Sequence, residues 1–241
     1  MPMLIPERRF DERKPEMVDM PDADPELLRG ELRNLRIINR YFGGLSTVRN
    51  AVMPMVLETH PRTTVVILDL ATGSGDQPVA IARELRKLGR RTLITAVDRN
   101  ETVIAEARRH AAGFDEIRFE IGDIRSLPCP DGSFDIVLCS LALHHFAWPA
   151  GVHLLGEMNR LSRIGFVVND LSRSYLALAG TWLYTRATTT NIMTKTDAIA
   201  SIRAAYTKEE LNRMAVEAGI RGMEVYRAPF FRLVGVKRKA R

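Results

Sequence analysis

Three carboxylates stand just past apolar, β-branched runs: Asp69 after 65–68, Asp98 after 92–97 and Asp123 after 117–121. Between the first two lies Ala71-Thr72-Gly73-Ser74-Gly75-Asp76, whose glycines let backbone approach a ligand where a side chain would collide. A carboxylate facing such a turn from the next strand tip can accept both hydroxyls of a ribose. One at the third tip can accept from an adenine amino group beside a backbone N–H. Asp98 also stands where it would cap a helix beginning near Asn100, and the two roles are compatible. Together the three tips point to an adenosine-bearing ligand. A dinucleotide fits less well. Pro78 occupies the third glycine position of G-x-G-x-x-G and removes a backbone N–H near where a pyrophosphate needs donors.

Such tips require a parallel sheet, and the remaining pattern supplies one. Strands are expected at 65–68, 92–97, 117–121, 134–140 and 165–169, alternating with helices at 77–88, 101–112 and 149–161. Alternation of this length means a doubly wound α/β fold. The end of the chain departs from it. Thr207-Lys208-Glu209-Glu210 reads as a capping box opening a helix to about residue 218. Runs at 222–227 and 230–237, separated by Ala228 and Pro229, then read as an antiparallel pair at the sheet edge. Before the sheet, an amphipathic helix from Pro25 ends at Gly43 and Gly44, and Ser46 is expected to cap a second helix. The organisation expected is a mobile arm at 1–24, a helical cap at 25–60, and an α/β domain at 61–241 with a lid-like insertion at 171–206.

Composition bounds the rest. The 241 residues are 46% apolar and 27% charged, enough for one full core and too apolar for a disordered chain. The net charge is +6, but the basic residues are scattered and lack interleaved aromatics, so a solvated face is expected rather than nucleic-acid binding. The opening residues carry Pro and charge where a secretory signal would be apolar, and no run reaches the ~20 residues of a bilayer span. Cys129 and Cys139 fit neither a disulfide framework nor a zinc motif. A cytoplasmic location and no metal are expected.

The stretches LDLATGSGD and GDIRSLPCPDGSFDIVLCSLALHHF, with Asp98 at its strand end, resemble the class I S-adenosylmethionine-dependent methyltransferases. Within that superfamily they are similar to the ubiquinone/menaquinone-type small-molecule enzymes. The resemblance covers roughly residues 60–170 and implies a Rossmann-like, mostly parallel seven-stranded sheet with S-adenosylmethionine as cofactor. Ala71 stands where the usual D-x-G-x-G-x-G motif has its first glycine. Carried over, Asp69, Ala71, Gly73, Ser74 and Gly75 would cradle the methionine part and the ribose edge. Asp98 and Arg99 would hold the ribose and flank the adenine, Asp123 and Ile124 would read the adenine, and Ser140 and Leu141 would meet the sulfonium end.

A sulfonium methyl is already activated, so the protein needs chiefly to orient the partners and take a proton from the acceptor. His144 and His145 follow the fourth strand, where the methyl should point, and imidazole titrates near neutrality. Either is a candidate base, or orients its neighbours. Asp170 and Arg173 face the same end and either bind a polar acceptor or cap and pair with the helix that follows. Tyr41 and Trp182 are candidates to line the acceptor pocket, with the apolar face of the insertion suggesting a phenol- or quinol-like molecule. Oxygen is slightly favoured over carbon as the target because of the paired histidines. An RNA or protein methyltransferase, and a relative that binds the cofactor without turnover, are the alternatives.

Overall fold

The computed structural model describes residues 5–20 and 22–239, and the β-branched runs pair into a single seven-stranded sheet. Its strands are β1 (Val65–Leu70), β2 (Thr92–Asp98), β3 (Ile117–Ile121), β4 (Phe134–Ser140), β5 (Ser162–Leu171), β6 (Glu224–Ala228) and β7 (Arg232–Arg238). They lie in the order β3-β2-β1-β4-β5-β7-β6. The first five are parallel, and β7 runs antiparallel to both β5 and β6. Chain order reverses between β1 and β4, so the carboxyl ends of those strands open the crevice where doubly wound sheets bind ligands.

Eight helices among the described residues complete the fold: α1 (Pro25–Tyr41), α2 (Gly44–Leu57), α3 (Asp76–Lys87), α4 (Glu101–His110), α5 (Trp148–Leu161), α6 (Tyr175–Thr188), α7 (Ile192–Ala204) and α8 (Lys208–Glu217). Alternation along the strands sends side chains to two cores. Val65 and Ile67 of β1 pack with Val52, Met55, Val79 and Leu85 of α2 and α3. Leu68 and Leu70 pack with Leu154, Met158, Leu211 and Met214 of α5 and α8. Asp69 continues the Val65–Ile67 face toward α3, whereas Asp170 shares the opposite face of β5 with Phe166 and Val168.

Two local expectations shift. Ser46 does not cap α2: Gly43, at φ 77°, is the N-cap, and the Ser46 hydroxyl donates to its carbonyl. Only a residue at ease in the left-handed region can end α1 and start α2 with so little chain between them. The β6–β7 turn is made of Pro229, Phe230 and Phe231, between the paired Ala228 and Arg232, rather than of Ala228 and Pro229, and both phenylalanines stand at φ 59°. Three-residue hairpin loops need a left-handed residue to bring the second strand back alongside the first. The strain, about 1 kcal/mol per residue, is held in place by packing of Phe230 edge-on to Phe42, 5.4 Å between centroids.

The segment expected to be a mobile arm is docked where it is described; residues 1–4 and Pro21 lie outside the described residues. Residues 5–20 run across the carboxyl end of the sheet, and side chains from elsewhere fasten their backbone. Arg173 donates from Nε to the Pro6 carbonyl (2.7 Å), and Asp197 of α7 accepts from the N–H groups of Met17 and Val18 (3.0 Å each). Arg8 returns the contact, donating to the carbonyls of His144, Phe146 and Ala204. None of these anchors leaves a periodic trace in the arm itself.

Arg173 is thereby a brace. Besides Pro6 it bonds the Ala205 carbonyl (2.5 Å) and Glu210 (2.7 Å), while buried at 5% exposure. Its replacement by alanine leaves buried acceptors unpaired and should cost about 3 kcal/mol of stability. Denaturant unfolding, with proteolytic sensitivity of residues 5–20 as a second readout, checks this. A loss below about 0.5 kcal/mol with an equally protected arm would contradict it.

Candidate cofactor and acceptor site

The glycine turn and the second strand tip meet. Asp98 accepts from the Gly73 N–H at Oδ2 (3.0 Å) and from the Asn100 N–H at Oδ1 (3.1 Å), and Asn100, not Asp98, caps α4. The Thr72 N–H bonds the Val97 carbonyl (2.9 Å) and the Gly122 N–H bonds the Asp98 carbonyl (3.0 Å), so the ends of β1, β2 and β3 form one rim. Gly73 sits at φ 54° with open space where a Cβ would be. Gly75 is glycine for another reason: a Cβ there would come within 3.1 Å of the Phe119 ring. Two non-glycine residues, Ala71 (φ 54°) and Leu141 (φ 55°), are also left-handed, one at the end of β1 and one past β4. Ala71 keeps the conformation in which glycine is usual, and strain of this kind gathers at ligand sites.

Beneath the rim lies a group of buried acceptors. Neither oxygen of Asp69, nor Thr72 Oγ1, Gln77 Oε1 or Asn169 Oδ1, has a hydrogen-bond partner of proper geometry. Ser140 Oγ lies among them, accepting from the amides of Asn169 (2.8 Å) and Gln77 (3.4 Å), and the Leu141 N–H donates to the Asn169 carbonyl. Acceptors without donors suit a ligand that brings its own donors and positive charge. Burial pushes the Asp69 carboxyl up to about 7, against a smaller lowering by the Thr72 hydroxyl.

Asp123 is half-exposed and bound through both oxygens to Arg125, which holds its carboxyl below the usual range. Ile124 is buried in the α5–α8 core. Arg99 reaches away from the turn to Asp19 of the arm (2.9 Å).

On the other face of the sheet, His144 is 2% exposed, in a 3-10 turn spanning Leu143–His145. Its Nδ1 lies 2.6 Å from Asp170 Oδ1, while Asp170 Oδ2 accepts from the His144 N–H (2.9 Å). Burial alone would raise the Asp170 carboxyl, but the His144 imidazole and the N–H groups of Leu171 and His144 outweigh it and hold the carboxyl below its usual value. The pair fixes the imidazole with Nδ1 as donor, leaving Nε2 buried and unpartnered. His145 stacks on it, ring centroids 4.2 Å apart, and its Nδ1 lies 2.9 Å from Asp19.

The acceptor-pocket candidates come together less well. Tyr41 is 65% exposed beneath the Arg40 guanidinium, and Trp182 is 49% exposed beneath Arg186. It is Phe42, not Tyr41, that turns inward, onto Tyr184 of α6 (4.8 Å). Three participants escaped the sequence reading. Glu16 and Asp19 lay in an arm without pattern. Arg232, 1% exposed and bonded through Nη2 to Asn39, keeps Nε and Nη1 without partners. A lone charge opening the apolar run Leu233-Val234-Gly235-Val236 was its only signal.

Residues 67–165, which include this rim and the His144 turn, match the family described as "Methyltransferase domain". That match makes this segment similar to methyltransferase domains and spans 99 of the 241 residues. A demethylmenaquinone methyltransferase from Deinococcus radiodurans is 37% identical over 100 residues, 41% of this chain and 39% of the relative. An uncharacterized 37.1 kDa protein in a Streptomyces fradiae transposon is 29% identical over 176 residues, 70% of this chain and 46% of the relative. The chain thus spans less than half the length of either curated relative. The plantazolicin methyltransferase BpumL, solved in complex with SAH, shares the fold at a TM-score of 0.68 and 14% identity, over 95% of this chain and 96% of that one. The residues present fit S-adenosylmethionine, whose demethylated product SAH is bound in that neighbour. Open space at Gly73, a carboxylate facing it, and donor-less acceptors beneath match a nucleoside joined to an end that carries an ammonium group. Among the described residues no helix is long and apolar enough to cross a membrane.

A consequence for pH follows from Asp69. Folded, its carboxyl titrates at about 7 instead of 3.8, so between about pH 4 and 7 the folded chain keeps a proton that the unfolded chain has lost. Stability without ligand therefore falls as pH rises through that window. A cationic ligand favours the ionised carboxylate, so affinity for S-adenosylhomocysteine, through its α-ammonium group, should rise about tenfold from pH 5.5 to 7.5 and then level off. In Asp69→Asn the slope should vanish. A flat wild-type profile by calorimetry would remove Asp69 from the site.

Proposed function

We propose that this chain transfers a methyl group from S-adenosylmethionine to a small acceptor of phenol or quinol type, oxygen being slightly favoured as the target. The observation that carries the reading is the junction of Gly73 with Asp98 on the same carboxyl edge as the buried His144–Asp170 pair. When bound, the cofactor supplies an activated sulfonium methyl, open to direct displacement.

The chain's residues do the rest. Asp98 and the turn 71–75 hold and orient the nucleoside end; Asp69, Thr72, Gln77 and Asn169 receive the donors of the amino-acid end. Asp170 keeps His144 in one tautomer and one orientation, so that the Nε2 side deals with the acceptor's proton. Glu16 of the arm lies against that nitrogen (3.7 Å), and Asp197 of α7 fastens the arm beside it. The demethylmenaquinone methyltransferase among the relatives supports a quinol-like acceptor.

Incubation with labelled cofactor and a library of phenols, quinols and lipids tests this. Label should pass to an aromatic hydroxyl with homocysteine-bearing product in equal amount. Tight cofactor binding with no product from any acceptor would favour a binding protein. Transfer only to RNA or protein, weakening steeply with salt, would favour those acceptors instead.

A further inference from the structure

Three side chains converge where the arm crosses the His144 turn. His144 Nε2 lies 3.7 Å from Glu16 Oε1, His145 Nε2 lies 3.9 Å from Glu16 Oε2, and one ligand atom from each residue falls within 4.8 Å of the others. Tetrahedral bonds of about 2.1 Å place donor atoms about 3.4 Å apart, so the three would close by at most about 1.4 Å to seat an ion among them. What surrounds the three is equally specific. Each imidazole has its Nδ1 against a carboxylate, His144 on Asp170 (2.6 Å) and His145 on Asp19 (2.9 Å), which turns both Nε2 atoms toward Glu16. The Glu16 carboxylate is itself oriented by the Ser201 hydroxyl (2.7 Å). Carboxylates behind ligating histidines, fixing ring and tautomer, are the usual outer shell of a metal centre. Independently, His144 Nε2 is an unpartnered polar atom, aimed into the cluster, on a residue only 2% exposed.

From this geometry we propose that Glu16, His144 and His145 bind a divalent transition-metal cation, Zn2+ being the best match, through one carboxylate oxygen and two Nε2 atoms. Two imidazoles and a carboxylate suit Zn2+ over Mg2+ or Ca2+, which prefer oxygen. Three protein ligands leave a position open, as in catalytic sites. The catalytic role of the ion rests on the methyl-transfer reading and deepens it: an acceptor hydroxyl at the open position would release its proton to solvent more readily, with no change of oxidation state. The binding itself does not rest on that reading.

The test uses the full chain, stripped with chelator and dialysed, with neither cofactor nor acceptor present. Titration with Zn2+ by calorimetry, and with Co2+ by visible absorption, should show one ion per chain with a dissociation constant in the micromolar range or tighter. Glu16→Gln and His144→Gln should each weaken it by at least a hundredfold, and Ser201→Ala by about tenfold. His153→Ala, which alters a histidine on α5 bonded to the Arg125 carbonyl, should leave it unchanged. Glu16→Gln keeps the shape and the Ser201 contact, so thermal unfolding of that variant separates lost ligation from lost fold. No stoichiometric binding, or binding that survives both ligand variants, overturns the proposal and leaves the three as an ion-pair cluster. Affinity for S-adenosylhomocysteine, measured on the same preparations, reports on the methyl-transfer reading separately.

Discussion

His144→Ala is expected to lower turnover by about 10²–10³-fold while leaving cofactor affinity within about twofold of wild type. The asymmetry comes from where the ring is held. Its Nδ1 is locked to Asp170 at 2.6 Å on the α5–α8 face of the sheet, whereas the acceptors assigned to the cofactor lie on the α3 face and along the β1–β2 rim. Loss of the imidazole removes the group that deals with the acceptor's proton, whether Nε2 takes it directly or holds a cation that eases its release. It touches nothing that orients the nucleoside. Single-turnover and steady-state rates with labelled cofactor, alongside equilibrium titration with S-adenosylhomocysteine, read the two effects apart. His145→Ala should cost less, because that ring is a quarter exposed and held through Asp19 of the arm. Full turnover in both variants would remove the histidine pair from the chemistry.

Asp98→Ala is expected to weaken cofactor affinity by about 30–100-fold, the loss of roughly 2–3 kcal/mol that charge-assisted hydrogen bonds contribute when buried. Part of this is direct, since the carboxylate faces the glycine turn where ribose hydroxyls would reach it. Part is indirect, because Oδ2 also fixes the Gly73 N–H and Oδ1 the Asn100 N–H. Asp98→Asn keeps one of the two backbone contacts, sets its NH2 against the other N–H and loses the charge-assisted ribose contact, so affinity should fall about tenfold with some loss of melting temperature. Calorimetric titration of both variants, with thermal unfolding as the control, measures this. Unchanged affinity in Asp98→Ala would end the ribose assignment.

The parallel half of the fold was legible because two-sided burial writes itself into sequence. Runs such as Val65-Val66-Ile67-Leu68 and Phe134-Asp135-Ile136-Val137-Leu138 have no other economical home than central strands. The rim was legible for the same reason: Asp69, Asp98 and Asp123 follow such runs, and strand ends in a parallel sheet share one edge. What Asp123 and Arg99 bond to was not legible, since a short-range pair with Arg125 and a long-range pair with Asp19 depend on rotamers rather than on spacing. The arm was the larger omission. Residues 5–20 carry no hydrophobic period, and what fastens them is a set of backbone contacts: Arg173 and Asp197, far away in the chain, bond the arm's backbone, and Arg8 of the arm bonds distant carbonyls. A segment held by polar groups elsewhere looks disordered when read alone, and with it went Glu16 and Asp19. The insertion misled in the opposite sense. The aromatic residues of α6 suggest a lid with an apolar face toward the acceptor, yet Tyr175, Leu176, Trp182 and Leu183 stand outward and the helix buries only Ala177 and Thr185.

Titration of the purified chain with S-adenosylhomocysteine by calorimetry reaches the central claim most directly. One site per chain, in the micromolar range, made at least tenfold weaker by Asp98→Ala and untouched by His144→Ala, is the result the glycine turn and its facing carboxylate require. No heat at millimolar ligand, or binding indifferent to Asp98, would mean that the β1–β2 rim does not hold this nucleoside.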